Sequence, residues 1–273
     1  MRLRMLAMKS LINGFVGKLG YEIRRIPEPR SWPPESYGEA PRDEEGGWGG
    51  GVLMMSNQHY RPARLEYYRT VYGDDQRIKY IVYFLDLRQQ RVLEIGPCGG
   101  HHSVILEKMG VRESISIESR DDNLEKCYRI KKKYGLDHTV FLKHDLERLY
   151  ARQEQPQFSG PFDLVFCLGV LYHLPDPVQA LIWMRQQSKT LFLGTHVELQ
   201  GDPAAVYAQQ DKKYRGKWHK EDVANPLHGM SPHAFVPDEP DLIEMLRDAG
   251  YSKISILGRD LQNNSPHITI LAE

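Results

Sequence analysis

The strongest constraint on this chain is an apolar run that contains an acid and leads into a Gly-rich turn. Residues 91–100 have the sequence Arg-Val-Leu-Glu-Ile-Gly-Pro-Cys-Gly-Gly, and a helix is predicted to follow over His102–Met109. A buried strand, a tight loop and a helix in this order bring backbone N–H groups close to a nucleotide-like ligand. The pattern therefore predicts a cofactor site at the turn.

A second carboxylate follows the next apolar run, about 20 residues beyond the turn, where nucleotide-binding βαβ units hold ribose hydroxyls. This run is Ile115–Glu118, and Glu118 is the predicted ribose ligand. The alternative is a solvated acid after an edge strand. The spacing of Gly96, Gly99 and Gly100 differs from the Gly-x-Gly-x-x-Gly of nicotinamide enzymes, which disfavours that class.

The turn resembles the first motif of the class I S-adenosylmethionine-dependent methyltransferases, which is acid-x-Gly-x-Gly-x-Gly after the first strand. Glu94, Gly96 and Gly100 match this motif, and Cys98 stands where the second glycine is usual. A small side chain at that place still lets the backbone approach a ligand. The resemblance implies S-adenosyl-L-methionine as the cofactor, with these four residues and Glu118 in its binding site.

Two later segments share this resemblance. After the predicted strand Thr139–Lys143, Asp145 matches the acid that accepts from the adenine amino group, and Leu146 lies beside it. A helix N-cap role for Asp145 is equally open. The predicted central strand Phe162–Cys167 leads into Leu168, which begins the segment that in this family lies under the methyl donor and faces the acceptor.

Three residues near that segment are the predicted catalytic group. His173 is the first candidate for a general base because imidazole titrates near neutrality. His196, in the predicted fifth strand, is the second, and Tyr172 would orient the acceptor or face the sulfonium with its ring. The alternative is that Tyr172 and His173 only fill space beneath a turn. No His-Glu-x-x-His spacing occurs, so no metal is predicted.

The fold class predicted from these elements and the resemblance is α/β. It is a Rossmann-like, seven-stranded mixed sheet with helices on both faces and an antiparallel last strand. The other predicted helices are 61–72, 75–87, 177–187 and 239–249, and the other predicted strands are 190–197, 252–257 and 267–271.

Three parts are predicted along the chain. Residues 1–26 are a basic amphipathic helix, residues 27–51 a Pro/Gly-rich linker or lid, and residues 52–273 the methyltransferase domain. The amphipathic segment 1–25 is suited to docking on the domain, to dimerisation or to peripheral contact with an anionic membrane.

An insertion, residues 198–238, follows the predicted fifth strand and has little of the periodicity of a regular element. We predict that it is irregular and determines substrate specificity. Its segment Asp211–Lys220 alternates basic and aromatic residues. That composition suits either the recognition of nucleotide phosphates and bases or a solvated loop.

Composition limits the partners. The 36 basic residues balance 36 acidic ones, so no overall field recruits nucleic acid or membrane. Three cysteines without paired spacing favour a reducing compartment, and no apolar run approaches the roughly 20 residues of a membrane span. We expect a cytoplasmic protein, with residues 1–25 as the element for any membrane contact.

The predicted function is O-methylation of a small hydroxylated acceptor, such as a sugar or a nucleotide-linked intermediate. One alternative is a tRNA-modifying enzyme, because segments 100–102 and 169–173 resemble the tRNA wobble-uridine carboxymethyltransferase branch, whose donor carries an extra carboxylate. Another alternative is a non-catalytic scaffold that retains the fold.

Overall fold

The computed structural model describes residues 77–199, 205–209, 211–260 and 266–273 of the chain. Helix α1, Arg77–Phe84, belongs to one compact unit, and the described residues from Leu87 onward belong to another. The predicted helix 1–26, the linker 27–51 and the predicted helix 61–72 lie outside the described residues. The second unit contains all of the predicted site residues.

Seven strands of this unit form one mixed sheet in the order β3-β2-β1-β4-β5-β10-β9. Strands β1 to β5 run parallel, and β10 lies antiparallel between β5 and β9. This confirms the predicted seven-stranded sheet and its antiparallel last strand. The strands are β1 Arg91–Ile95, β2 Glu113–Glu118, β3 Thr139–Lys143, β4 Leu164–Leu168, β5 Leu191–His196, β9 Ile254–Asp260 and β10 His267–Ala272.

The helices of this unit form two groups, one in which α2 packs on α3 and one in which α5 packs on α4 and α6. They are α2 His101–Lys108, α3 Asp121–Tyr134, α4 Leu146–Tyr150, α5 Pro177–Gln187 and α6 Glu239–Asp248, with a short 3-10 helix at Leu171–His173. Two groups are what a doubly wound sheet requires, one on each face. In the described ranges, no helix has the length and apolarity needed to cross a membrane.

Local sequence determines where these helices begin and end. Helix α3 starts with two aspartates and has three lysines in its last turn, which complements the helix dipole, and Gly135 follows the helix in the left-handed conformation with φ 62°. Helix α5 starts at Pro177, and the Asp176 carboxylate accepts the N–H of Gln179 at 3.0 Å.

Strand β4, at the centre of the sheet, is apolar on both faces. All five residues of β4 are buried, and the Phe166 and Phe192 rings stack with centroids 5.5 Å apart. Strands covered on both faces need continuous apolar sequence, which explains the run Leu-Val-Phe-Cys-Leu in β4. Because β1, β2, β4 and β5 are parallel, their carboxyl ends open at one edge, where α/β sheets bind ligands.

The insertion contains regular structure, so the prediction that residues 198–238 are irregular is wrong. Strands β6 Ala205–Gln209, β7 Lys212–Lys220 and β8 His233–Pro237 form a separate antiparallel sheet in the order β6-β7-β8. One face of β7 carries Tyr214, Gly216 and Trp218, which pack against Tyr207 and Phe235. The glycine interrupts the apolar alternation that would have indicated this strand.

Gly216 allows β7 and β8 to approach each other. A Cβ at this position would lie 2.2 Å from the carbonyl oxygen of Val236 and 2.6 Å from the Phe235 ring. Gly216→Ala should therefore lower the free energy of unfolding by about 1–3 kcal/mol, the usual cost of overpacking. Urea unfolding measures this change. The control Lys217→Ala, at an exposed neighbouring position, should stay within about 0.5 kcal/mol of the parent; equal stability of both variants would contradict the packing argument.

Candidate active site

The turn after β1 contains three residues with positive φ. These are Gly96 at 66°, Cys98 at 53° and Gly100 at 79°. A Cβ at Gly96 would lie only 2.4 Å from Cγ2 of Val170, in the segment after β4. Gly96 is therefore required both by its backbone conformation and by its neighbour. The turn after β1 and the segment after β4 are in direct contact.

Glu118, the last residue of β2, is tied to this turn. Its Oε2 accepts the N–H of Cys98 at 3.1 Å, and its Oε1 accepts the N–H of Arg120 at 3.0 Å. The residue is only 5% exposed, and burial raises the pKa of its carboxyl group. The alternative of a solvated acid is therefore wrong: Glu118 lies beside the Gly-rich turn.

Glu94 is buried in the middle of the sheet beneath the turn. Its Oε2 accepts the hydroxyls of Ser103 and Ser116 at 2.5 and 2.6 Å. Its Oε1 has no hydrogen-bond partner among the described residues, although the side chain is 1% exposed. Burial raises the pKa of this carboxyl, and the hydrogen bonds from Ser103 and Ser116 oppose the shift. A buried acceptor without a donor is costly unless a ligand supplies one.

A cavity of about 690 Å³ opens at the carboxyl ends of β2 and β3. Its lining begins at Ser119, the residue after Glu118, and does not include Glu118 itself. It is lined by residues 119–122, by residues 143–145 and by Ala224, Pro226 and Met230 of the insertion, among others. The cavity is large enough for a nucleoside-sized ligand.

Asp145 lines this cavity and also caps α4. Its Oδ1 accepts the N–H of Glu147 at 2.9 Å, so the N-cap alternative is confirmed, while the residue still faces the cavity. Leu146 follows with its side chain packed in the apolar core, and it is not among the cavity-lining residues.

The three predicted catalytic residues lie together beyond the end of β4. Leu168 ends this strand and is 6% exposed. The Tyr172 ring, in the 3-10 helix, has its centroid 4.2 Å from that of His173 and 4.2 Å from that of His196 at the end of β5. Nδ1 of His196 lies 3.2 Å from the carbonyl oxygen of Pro266. Side chains from two strand ends thus form one aromatic group.

His173 has an acidic partner from the insertion. Its Nδ1 lies 3.0 Å from Oε2 of Glu221, which also accepts the N–H of Gly229 at 2.7 Å. Burial lowers the pKa of the His173 imidazole; the Glu221 carboxylate raises it in opposition, and His228 and His196 lower it further. A lowered pKa keeps His173 neutral, and therefore able to accept a proton, near neutral pH.

The loop that supplies Glu221, here called the covering loop, spans residues 221–231. Arg120, two residues after the end of β2, donates to the carbonyls of Val223, His228 and Gly229 at 3.1, 3.0 and 2.8 Å. Asn123 donates to the carbonyl of Pro226 at 3.0 Å. These bonds hold the covering loop against the cavity. Within the described residues, no His, Cys, Asp or Glu group is arranged to hold a metal ion.

The sequence profile described as "Methyltransferase domain" matches residues 58–256, which is more than half of the chain. This chain belongs to the methyltransferase-domain family. Together with the sheet order, the match confirms the resemblance to the class I S-adenosylmethionine-dependent methyltransferases.

Relatives of this methyltransferase-domain protein include tRNA U34 carboxymethyltransferases. The protein of Shewanella baltica is 31% identical over 143 residues, which are 50% of this chain and 41% of that protein. The protein of Campylobacter hominis is 30% identical over 103 residues, 36% of this chain and 32% of that protein. The chain thus matches less than half the length of these relatives.

Two solved structures share the fold of this chain. The N-terminal domain of EvdMO1, crystallised in the presence of SAH and D-fucose, has a TM-score of 0.61 at 24% identity, covering 73% of this chain and 81% of that one. Magnesium protoporphyrin IX methyltransferase from Synechocystis with bound SAH has a TM-score of 0.50 at 18% identity. The match covers 81% of this chain and 89% of that one. At these identities the likeness concerns the fold.

Sequence reasoning missed the residues that the insertion of this methyltransferase-domain protein brings to the site. Glu221 and His228 lie in a polar segment that has no motif and no periodicity. Arg120 also gave no signal, because an arginine after a strand is usually solvated. Only the path of the covering loop brings Glu221 and His228 next to His173 and places the loop carbonyls within reach of Arg120.

Proposed function

We propose that this protein transfers the methyl group of S-adenosyl-L-methionine to a hydroxyl group of a small acceptor, such as a sugar or a nucleotide-linked intermediate. One observation carries the proposal. A half-buried imidazole with a lowered pKa, His173, lies in the segment that contacts the Gly-rich turn through Val170. A proton acceptor is thereby close to the turn that suits an adenosyl ligand.

The residues around the turn fit such a donor. Glu118 is suited to the ribose hydroxyls, and the backbone at Gly96, Cys98 and Gly100 leaves room for the methionine part. The unpartnered Oε1 of Glu94 is an acceptor for the donor's ammonium group, directly or through a water. Asp145 and the backbone of Leu146 would meet the adenine, and Leu168 would lie against the donor. When bound, S-adenosyl-L-methionine supplies an electrophilic methyl group on a sulfonium sulfur.

The acceptor is proposed to lie against Tyr172, His173 and His196. A hydroxyl becomes a better nucleophile as its proton is withdrawn, and a positioned base contributes about 10²–10⁴-fold to the rate. His173 is proposed as this base, with Tyr172 orienting the acceptor and His196 available as a second proton acceptor. The insertion 198–238 is proposed to determine which acceptor fits, and the EvdMO1 domain of the same fold was crystallised in the presence of SAH and a sugar.

The donor site is tested by calorimetry with S-adenosyl-L-methionine. Gly96→Arg should weaken binding by more than about 100-fold, or about 2.7 kcal/mol, because its side chain collides with Val170 and fills the turn. The matched control is Gly135→Arg, which has a similar φ of 62° and no atom within 4 Å of an added Cβ. Wild-type affinity in a folded Gly96→Arg variant would refute the donor site; Glu118→Ala is the second variant should Gly96→Arg not fold.

Methyl transfer itself is tested with isotopically labelled donor and a cell extract, with mass spectrometry of the products. The expected product is an acceptor heavier by one labelled methyl group, and a carboxymethyl increment would instead indicate the carboxylated donor. His173→Ala should lower the rate on the identified acceptor by about 10²–10⁴-fold, since it removes the base, and leave donor affinity unchanged. Full activity of His173→Ala would contradict its role. A protein that binds the donor but modifies no acceptor would favour a non-catalytic scaffold.

A second candidate is tRNA modification, which is favoured by the U34 carboxymethyltransferase relatives and by two exposed lysines on β7. Lys213 and Lys217 alternate with buried Tyr214 and Gly216 and so share the outer face of the strand, whereas Lys212 is paired with Asp248.

The RNA candidate predicts salt-sensitive binding of a tRNA in filter or fluorescence assays. Replacing Lys213 and Lys217 together by Glu should weaken binding and reduce the slope of log K against log salt by about 2, one unit per lost phosphate contact. The control pair is Lys132 and Lys133, also exposed but on α3. Equal effects of both pairs, or no binding by the parent protein, would remove this candidate.

A further inference from the structure

We propose that Glu221 is a positioning residue for the reaction: it fixes the tautomer of His173 and balances the charge that this imidazole gains on accepting the acceptor's proton. The proposal rests on the proposed function, because it gives the base a partner. Because Glu221 belongs to the insertion, the insertion would assist proton transfer as well as determine which acceptor fits.

The contact between the two side chains determines where the proton on His173 resides. Nδ1 of His173 lies 3.0 Å from Oε2 and 3.2 Å from Oε1 of Glu221. An ionised carboxylate can only accept hydrogen bonds, so the neutral imidazole must carry its hydrogen on Nδ1. Nε2 then keeps a lone pair. The tautomer that a general base needs is therefore selected by Glu221.

Glu221 is itself held in place from several sides. Its side chain is 6% exposed, its N–H donates to the carbonyl of Pro232 at 2.9 Å, and Oε2 accepts the N–H of Gly229 at 2.7 Å. A Cβ at Gly229 would lie 2.3 Å from the carbonyl oxygen of His173, so the covering loop packs directly on the 3-10 helix. A buried and hydrogen-bonded carboxylate has little freedom to leave the imidazole.

The other titratable groups that face His173 are Tyr172 beside it, His196 from β5 and His228 from the covering loop. Nδ1 of His228 accepts the N–H of Asp222 at 3.0 Å and lies 3.3 Å from Oε2 of Glu221. A nitrogen that accepts a hydrogen bond carries no hydrogen to donate. His228 therefore does not compete with His173 for the carboxylate.

The charge balance of the reaction explains why this partner helps. As the acceptor oxygen bonds to the methyl carbon, the carbon–sulfur bond breaks, its electron pair stays on sulfur as a neutral thioether, and the hydroxyl proton passes to Nε2 of His173. The resulting imidazolium lies next to Glu221, and an opposite charge within about 4 Å stabilises the charged form. The proton afterwards leaves to water, which restores the neutral base.

The first measurement is ¹⁵N NMR of the histidine rings in the full chain without donor or acceptor. In the parent protein, neutral His173 should carry its hydrogen on Nδ1. In Glu221→Gln, which retains the shape but removes the charge, the pKa of His173 should fall and the hydrogen should redistribute towards Nε2. The matched control is Glu198→Gln, because Glu198 pairs with His219 at 2.5 Å in the same insertion. This control should change the ring ¹⁵N signals of His219 and leave those of His173 unchanged.

The second measurement is the pH dependence of methyl transfer. Glu221→Gln should lower kcat by about 10–100-fold, within the range of a base that is poorly oriented, and leave the donor affinity unchanged. The acid limb of the pH–rate profile of this variant should move to lower pH. The reason is that His173 loses its function as a base on protonation, and its pKa is lower in the variant. Glu221→Asp retains the charge, so its kcat and the pKa of its His173 should lie between those of Glu221→Gln and those of the parent protein.

The outcomes separate the two proposals. An unchanged tautomer and an unchanged His173 titration in folded Glu221→Gln overturn the positioning role, even where the rate falls, because a merely structural role would produce a loss of rate alone. Should Glu221→Gln not fold, the positioning role is tested on two other measurements. These are the tautomer of His173 in the parent protein and the tautomer and titration of His173 in Glu221→Asp. The expected NMR result without any methyl transfer supports the His173–Glu221 pair and contradicts the proposed function.

Discussion

The rest of the site depends on the close packing of the turn after β1 against the segment after β4. A hydrogen atom at Gly96 faces Val170, and any larger group would push the two segments apart. This contact sets how far a ligand in the turn lies from the 3-10 helix that carries Tyr172 and His173. Orientation of two reacting groups can account for about 7–11 kcal/mol of a barrier, so a turn that determines distance has a direct chemical consequence.

The covering loop connects the proposed donor side of the site with the proposed acceptor side. Arg120 donates to three carbonyls of the loop while its own N–H donates to Glu118. At its start, the same loop presents Glu221 to His173. Because an arginine fork spans several acceptors at once, it is well suited to hold irregular backbone. The proposed donor and acceptor residues thus share one set of hydrogen bonds, and loss of the loop would affect both.

Much of the fold could be predicted from the sequence, because each element has a local signal. Continuous apolar runs indicate the central strands, Asp176 before Pro177 marks the start of α5, and Glu94 with Gly96 identifies the first motif. The predicted group of Tyr172, His173 and His196 was also recoverable, because carboxyl ends of parallel strands meet at one edge. The β6-β7-β8 sheet was not, since Gly216 occupies a buried position where a periodic pattern needs an apolar side chain.

The sequence by itself determined the α/β class, the position of the turn after β1 and which side chains end the strands, because backbone conformation and alternation of burial are local properties. The tertiary structure alone decided the partner of His173. Glu221 is 48 residues away from it along the chain and reaches it only through the antiparallel sheet of the insertion and the Arg120 hydrogen bonds. A carboxylate in a charged segment has no local feature that distinguishes it. Its position against His173 depends on burial and on the donors around it, and these exist only in the folded chain.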